Sequence, residues 1–219
     1  MSSTNRGRKG GGDSEFFPTP AWPVRRILEH LPQLPGGGWL EAGAGDGAII
    51  RTVNAFRSDV SWTAVELRNE CHADLVASGA DVHIAPFQPW ARAKLLALPA
   101  PSSRPFSVAI FNPPFSQALA FVQLCLELAD WVVCLQRLTW IGDDQERHAY
   151  FRQNMPDTFN IGRIDFDGRG GDSVPYSWFL WPPDRRGRSV GQFELLPLTP
   201  AVQKREPRKL PPPRQARLF

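Results

Sequence analysis

At 219 residues the chain is long enough for one α/β domain with an ample core plus tails, and 42% hydrophobic against 21% charged residues is a globular composition. No apolar run approaches the roughly 20 residues of a membrane-spanning helix, and the start, MSSTNRGRKGGGDS, lacks the apolar stretch of a secretory signal, so a cytoplasmic location is expected. The net charge of +3 is unevenly placed: residues 201–219 sum to +5 and residues 1–14 to +2, which leaves the body near −4 and puts the basic character in tails suited to a phosphate backbone, or simply to solubility.

Residues 1–14, rich in Gly, Ser and basic side chains, read as a disordered basic tail, with a folded domain over 15–198 and a Pro/Arg-rich basic tail over 199–219. Order is expected to begin near Phe16, where FFPTP gives an extended entry. A helix follows over 21–31, with Pro23 in its first turn and Ile27, Leu28 and Leu31 on one face. GWLEAGAG is a first strand and residues 47–56 a helix; SWTAVEL is a second strand and residues 69–77 a helix. DVHIA is a third strand, and PFQPWARAKLLAL a loop running into helix. FSVAIFN is a fourth strand ending at Asn112, residues 117–128 a helix, WVVCLQRL a fifth strand and residues 143–153 a polar helix. FNIGRIDF and VPYSWFLW are two more strands; the glycine-rich DGRGGDS between them is too short for a parallel crossover, so they form an antiparallel hairpin. The alternation before it predicts a mostly parallel sheet covered on both faces.

Two segments carry chemistry. The first strand runs into Glu41-Ala42-Gly43-Ala44-Gly45-Asp46-Gly47. Glycines permit a tight turn and close approach of the backbone to a ligand, and the following helix offers open N–H groups. The letters also satisfy the dinucleotide pattern through Gly43, Gly45 and Ala48. Glu41, at the strand end, suits a cationic amino-acid group and suits a pyrophosphate poorly. Glu66 ends the second strand, where an acid binds ribose hydroxyls in nucleoside-binding folds. The second segment is Asn112-Pro113-Pro114-Phe115 at the end of the fourth strand, the edge where open α/β sheets bind ligands. Its prolines remove two donors and stiffen the turn. The Asn112 side-chain oxygen and the Pro113 carbonyl can then accept both hydrogens of an amino group, with Phe115 offering a face for a base to stack on. Cys71, Cys125 and Cys134 lie in apolar stretches without metal-ligand spacing and read as reduced core residues. His30, His72, His83 and His148 are scattered, and no metal is expected.

FFPTP, LEAGAGDG, VEL and FNPPF, in this order, resemble the amino-methyltransferases that modify adenine N6 in DNA, in their gamma arrangement. The stretches LQRLTWIGDDQERHAYFR and GGDSVPYSWFLW are similar to small phage and prophage members of that group, and the resemblance spans residues 16–182. It implies a Rossmann-like class I fold dependent on S-adenosylmethionine (AdoMet): a mostly parallel seven-stranded sheet closed by the antiparallel hairpin. By it, Phe17, Thr19 and Pro20 pack on the methionine part of AdoMet, Glu41, Gly43 and Gly45 line its amino-acid end, Glu66 its ribose, and Asn112 adjoins it. Asn112, Pro113, Pro114 and Phe115 hold an adenine flipped out of double-stranded DNA. The group often has an acidic residue after the third strand for the cofactor's adenine; here Pro86 stands in its place, leaving backbone groups or Phe87 for that role. NPPF is shared with some rRNA guanine and protein glutamine methyltransferases, so the same chemistry on RNA or on an amide stays open, as does a non-catalytic AdoMet-fold subunit.

Expected DNA contacts are Arg137, Trp140 and Arg147 after the fifth strand; Asp172, Ser173 and Tyr176 at the hairpin, where Tyr176 and Trp178 share one side; and Arg185, Arg186 and Arg188 beyond it. In the expected reaction the target nitrogen attacks the sulfonium methyl group in line, and the hydrogen bonds that Asn112 accepts from it tighten as that nitrogen becomes positive.

Overall fold

The computed structural model describes residues 16–31, 33–100, 103–142, 144–166, 173–185, 187 and 189–197. Strands β1 (Gly37–Ala42), β2 (Val60–Glu66), β3 (Asp81–Ile84), β4 (Phe106–Phe111) and β5 (Ala129–Arg137) are parallel and alternate with helices α1 (Ala21–His30), α2 (Ala48–Asn54), α3 (His72–Ala77), α4 (Phe87–Leu96) and α5 (Ala118–Leu128). Helix α6 (Gln145–Phe151) leads to the hairpin of β6 (Asp157–Gly162) and β7 (Tyr176–Trp181), and β7 inserts antiparallel between β5 and β6. The spatial order is β3-β2-β1-β4-β5-β7-β6-β8.

The apolar strands are covered on both sides, as their near-continuous hydrophobic runs require. Trp39, Val108, Val133, Leu135 and Trp178 face α1, α2 and α3, whereas Leu40, Phe111, Cys134, Phe179 and Trp181 face α4, α5 and α6. Cys71, Cys125 and Cys134 are buried and free, the core positions their context predicts. No described helix is long and apolar enough to cross a membrane.

The sheet has eight strands where seven were expected. The addition, β8 (Phe193–Leu195), runs parallel to β6 at the edge. All three of its residues are exposed, so it is held by its backbone: Thr158 N–H donates to the Gln192 carbonyl at 2.7 Å and Leu196 N–H to the Asn160 carbonyl at 2.8 Å. His30 of α1 meets Glu194 at 3.2 Å and secures the same edge.

The chain builds outward from β1 to β3, then returns to place β4 on the other side of β1. The loops after β1 and β4 therefore leave the carboxyl edge in diverging directions and open a crevice between them. The glycine loop and the NPPF turn stand on either side of it.

Candidate active site at the sheet switch point

A cleft of about 840 Å³, counted to its open mouth, fills this crevice, lined by Glu41, Gly43 and Gly45 from the first loop, Glu66 from β2, Phe17 and Thr19 from the entry segment, and Asn112 and Pro114 from the NPPF turn. Gly43 and Gly45 adopt φ of +70° and +55°, which L side chains rarely tolerate. A side chain at Gly45 would also meet the Phe16 ring at 3.1 Å.

Three carboxylates surround the loop, and two are matched. Asp46 is paired with Arg51 at 2.9 Å. Glu66, 3% exposed, accepts from Gly45 N–H at 2.7 Å and from Arg68 N–H at 2.9 Å, with the Arg68 guanidinium at 3.3 Å. Glu41 makes no salt bridge among the described residues; the Arg51 guanidinium, paired with Asp46, acts on it only as a further charge. It is 3% exposed, and its Oε2 is buried without a hydrogen-bond partner. Burial pushes its carboxyl well above the ordinary range; the nearby acids Asp46 and Glu66 add to this, against a backbone hydrogen bond at Ile50 and the charge of Arg51. A buried carboxyl with an open lone-pair site in a ligand-sized cleft is complementary to a compact cation such as an α-ammonium group. These residues fit an amino-acid-bearing nucleoside.

At the far end of the cleft, after β3, Ala85 and Phe87 line the wall and Pro86 precedes α4. Phe87 packs on Phe121 with ring centroids 4.5 Å apart, so an aromatic wall stands where an acid is common in the resembled group. Phe16, Pro18 and Arg68 also line the cleft, with the Arg68 guanidinium 5.1 Å from the Phe16 ring. Pro20 does not line it: Pro20 is the residue ahead of α1, and Pro18 takes the expected place in the wall.

The NPPF turn forms a smaller slot of about 210 Å³ with Phe17. Asn112 Nδ2 donates to Thr19 Oγ1 at 3.1 Å and lies 3.4 Å from the Phe17 carbonyl, which turns the amide nitrogen inward and leaves Oδ1 as the acceptor on offer. The Pro113 carbonyl receives 3.0 Å from Gln136 Nε2 on β5; a carbonyl has a second lone pair, so an amino hydrogen would join this bond rather than find the oxygen unoccupied. Nothing in the spacing of Gln136 announced this role; only the β4–β5 pairing brings it there. Phe115 belongs to an aromatic group with Phe17 at 6.0 Å and Tyr176 at 6.3 Å, and the Arg137 guanidinium sits 4.5 Å from its ring.

The expected nucleic-acid contacts divide. Arg137 and Arg147 line a hollow with Phe115, Ser173 is exposed just ahead of β7, and Arg137 Nε donates to the Tyr176 hydroxyl at 3.4 Å. Tyr176 is buried, and Trp178, on the same side, donates its indole N–H to the Pro23 carbonyl in the core at 3.0 Å. Trp140 is 2% exposed, packed edge-on to Phe151 at 4.8 Å and tilted against Phe179 at 5.5 Å; it is a core residue rather than a surface contact. Arg185 follows β7, which runs antiparallel to β5 and ends with Trp181 opposite Val132, so Arg185 stands at the edge of the sheet away from the cleft. Asp172, Arg186 and Arg188 lie outside the described residues, as do both tails. Among the described residues no cluster of His, Cys, Asp and Glu is arranged to hold a metal.

No protein-family profile and no curated protein matches this sequence. Solved structures do match in fold. One, described as a candidate RNA methyltransferase from Pyrococcus horikoshii, aligns with a TM-score of 0.55 at 16% identity over 76% of this chain and 84% of that one. The M protein of the type I restriction enzyme EcoKI aligns with a TM-score of 0.57 at 12% identity over 79% of this chain and 46% of that one. The O-methyltransferase TomG from Streptomyces achromogenes, solved with its methyl donor, gives 0.53 at 14% identity over 75% and 81%. The chain has the Rossmann-like methyltransferase fold.

Proposed function

We propose that this protein is an AdoMet-dependent methyltransferase that modifies an exocyclic amino group of a nucleic-acid base, with adenine N6 in DNA as the preferred target. The single observation that carries this reading is the engagement of Asn112: its nitrogen donates to Thr19, which leaves its oxygen as the acceptor it offers in a slot that Pro113 also lines. Two acceptors on a proline-stiffened turn select a planar –NH₂ group and direct its lone pair away from them.

Glu41 would hold the cofactor's ammonium, Gly43 and Gly45 would let the loop backbone approach its amino-acid end, and Glu66 would accept from its ribose. When bound, the cofactor supplies an electrophilic methyl group. The chain's own contribution is positioning: Asn112 and Pro113 orient the amine, Phe115 stacks the base, and Phe17 closes the slot against water. Asn112 is no base. Its acceptor bonds strengthen as positive charge develops on the nitrogen, and the surplus proton leaves to solvent. The resemblance to DNA adenine methyltransferases supports DNA over RNA; the fold matches include both a candidate RNA methyltransferase and the EcoKI M protein and bear on the fold alone.

The test is incubation with radiolabelled AdoMet and duplex DNA, rRNA or protein extract, followed by nucleoside analysis. Label in N6-methyladenine from DNA is the expected outcome. Label confined to RNA or protein refutes the DNA assignment, and absence of cofactor binding refutes the enzyme. Asn112→Ala should lower turnover by about 10²–10³-fold, the cost of deleting one preorganised hydrogen bond at a reacting centre, while the cofactor still binds. Wild-type turnover in that variant would remove the central residue.

A further inference from the structure

The cleft runs along the carboxyl edge of the sheet: Glu41 lies near the end of β1, Glu66 closes β2, and Ala85 and Phe87 follow β3. With an ammonium at Glu41 and a ribose at Glu66, the part left for the cofactor's base is the far end, walled by Phe87 and Phe121. Both rings are 5% exposed, and Phe121 also lies under the glycine loop, 3.4 Å from where a side chain at Gly43 would begin. Such a wall offers apolar surface and does not read the edge of a base. Apart from Glu41, most lining side chains able to hydrogen-bond are committed elsewhere: Thr19 and Asn112 bond each other, Asp46 pairs with Arg51, and Glu66 pairs with Arg68. Gln117 differs. It stands exposed at the rim, four residues ahead of Phe121 at the start of α5, and both line the cleft. Gln88, half-buried beside Phe87 on α4, donates from Nε2 to Gln117 Oε1 at 3.1 Å, which ties the NPPF side of the cleft to its β3 side. That bond uses one lone pair of Oε1 and leaves the second, with both Nε2 hydrogens, on offer.

We infer that Gln117, held by Gln88, recognises the base of the cofactor. The inference rests on the AdoMet reading of the cleft and is independent of the methyl acceptor. An adenine edge presents a donor, the 6-amino group, beside a ring-nitrogen acceptor. A primary amide matches that pair with two bonds: Oε1 accepts from the amino group and Nε2 donates to the nitrogen. An acid, common after the third strand in the resembled group, would accept from the amino group alone. Pro86 carries no polar side-chain atom for that task, and the amide supplies from the opposite rim what the loop after β3 lacks. Gln88 sets the sense of the amide, because a flip of Gln117 alone would turn N–H against N–H.

The probes are S-adenosylhomocysteine and its 6-deamino counterpart, in which purine replaces adenine. Binding of each to the full chain is read by calorimetry, so no turnover is required. We expect wild type to bind the deaminated ligand about fivefold more weakly, the scale of one neutral hydrogen bond. Gln117→Leu should weaken S-adenosylhomocysteine by about tenfold and bind the two ligands within about twofold of each other. Gln117→Glu keeps an acceptor and loses the donor to the ring nitrogen, so it should restore the preference for the amino-bearing ligand. A merely structural role for Gln117 would weaken both ligands alike and leave the preference as it is in wild type. The inference is overturned by a leucine variant that keeps the wild-type preference, by a glutamate variant that loses it, or by a wild type that binds both ligands equally. No binding of S-adenosylhomocysteine by wild type overturns the cofactor reading beneath it.

Discussion

Glu41→Gln tests the cofactor end of the site through its acid–base behaviour. Burial raises the Glu41 carboxyl above the ordinary carboxylate range in the free protein. Between the unfolded value and that raised value the folded state binds the extra proton. Wild-type stability therefore falls as pH rises through this window, by up to about 1.4 kcal/mol per pH unit, and levels off above it. Below the window the contribution is fully present. Glutamine does not titrate, so the stability difference between variant and wild type grows with that slope and then stays constant. A cationic ligand reverses the logic: it favours the ionised carboxylate, so cofactor binding releases a proton and tightens up to tenfold per pH unit through the same window. The lost charge-assisted bond, worth about 1.5–3 kcal/mol, should weaken AdoMet binding to Glu41→Gln by roughly 10- to 100-fold. Denaturant melts across pH, with and without AdoMet, give the first slope. Calorimetry in two buffers of different ionisation enthalpy gives the proton count. A pH-independent stability difference, together with binding that exchanges no proton, would refute the reasoning.

Thr19→Val should slow turnover by up to about tenfold with little change in cofactor affinity, since it removes the acceptor that orients Asn112 at a net cost of about 0.5–1.5 kcal/mol; Thr19→Ser should restore the rate, and an unchanged kcat in the valine variant would contradict this. Gly45→Ala and Gly79→Ala place a side chain at φ of +55° and +84°, so both should lose about 1–2 kcal/mol in thermal melts. Only Gly45→Ala, whose new methyl meets Phe16 while nothing stands within 4 Å at Gly79, should also weaken AdoMet binding; equal affinities would sever the glycine loop from the cofactor.

The parts of this molecule that were legible in its sequence are those whose letters state a backbone requirement. Gly43, Gly45, Pro113 and Pro114 constrain φ and hydrogen bonding directly, and strand alternation constrains what lies between. What stayed hidden depends on partners far away in the chain. β8 escaped because its three exposed residues carry no burial pattern and owe their place to carbonyls and N–H groups that any residue has. Trp140 was misplaced because an indole serves equally well in a core or on a nucleotide, and only its contacts with Phe151 and Phe179 decide. The misassignment of Arg185 was avoidable: once the terminal strands form an antiparallel hairpin, whatever follows the second must leave at the opposite edge.

Residues 16–19 span both chambers of the site. Phe16 lies against Gly45, Phe17 lines cleft and slot alike, and Thr19 holds Asn112. A single short segment thus forms part of the wall of both chambers, so under the proposed function any adjustment it makes to admit one ligand alters the fit of the other. That is a coupling free energy between cofactor and substrate, and thermodynamics makes it reciprocal: the factor by which bound cofactor changes substrate affinity must equal the factor by which bound substrate changes cofactor affinity. Four residues at the start of the described chain make the two occupancies a single linked equilibrium.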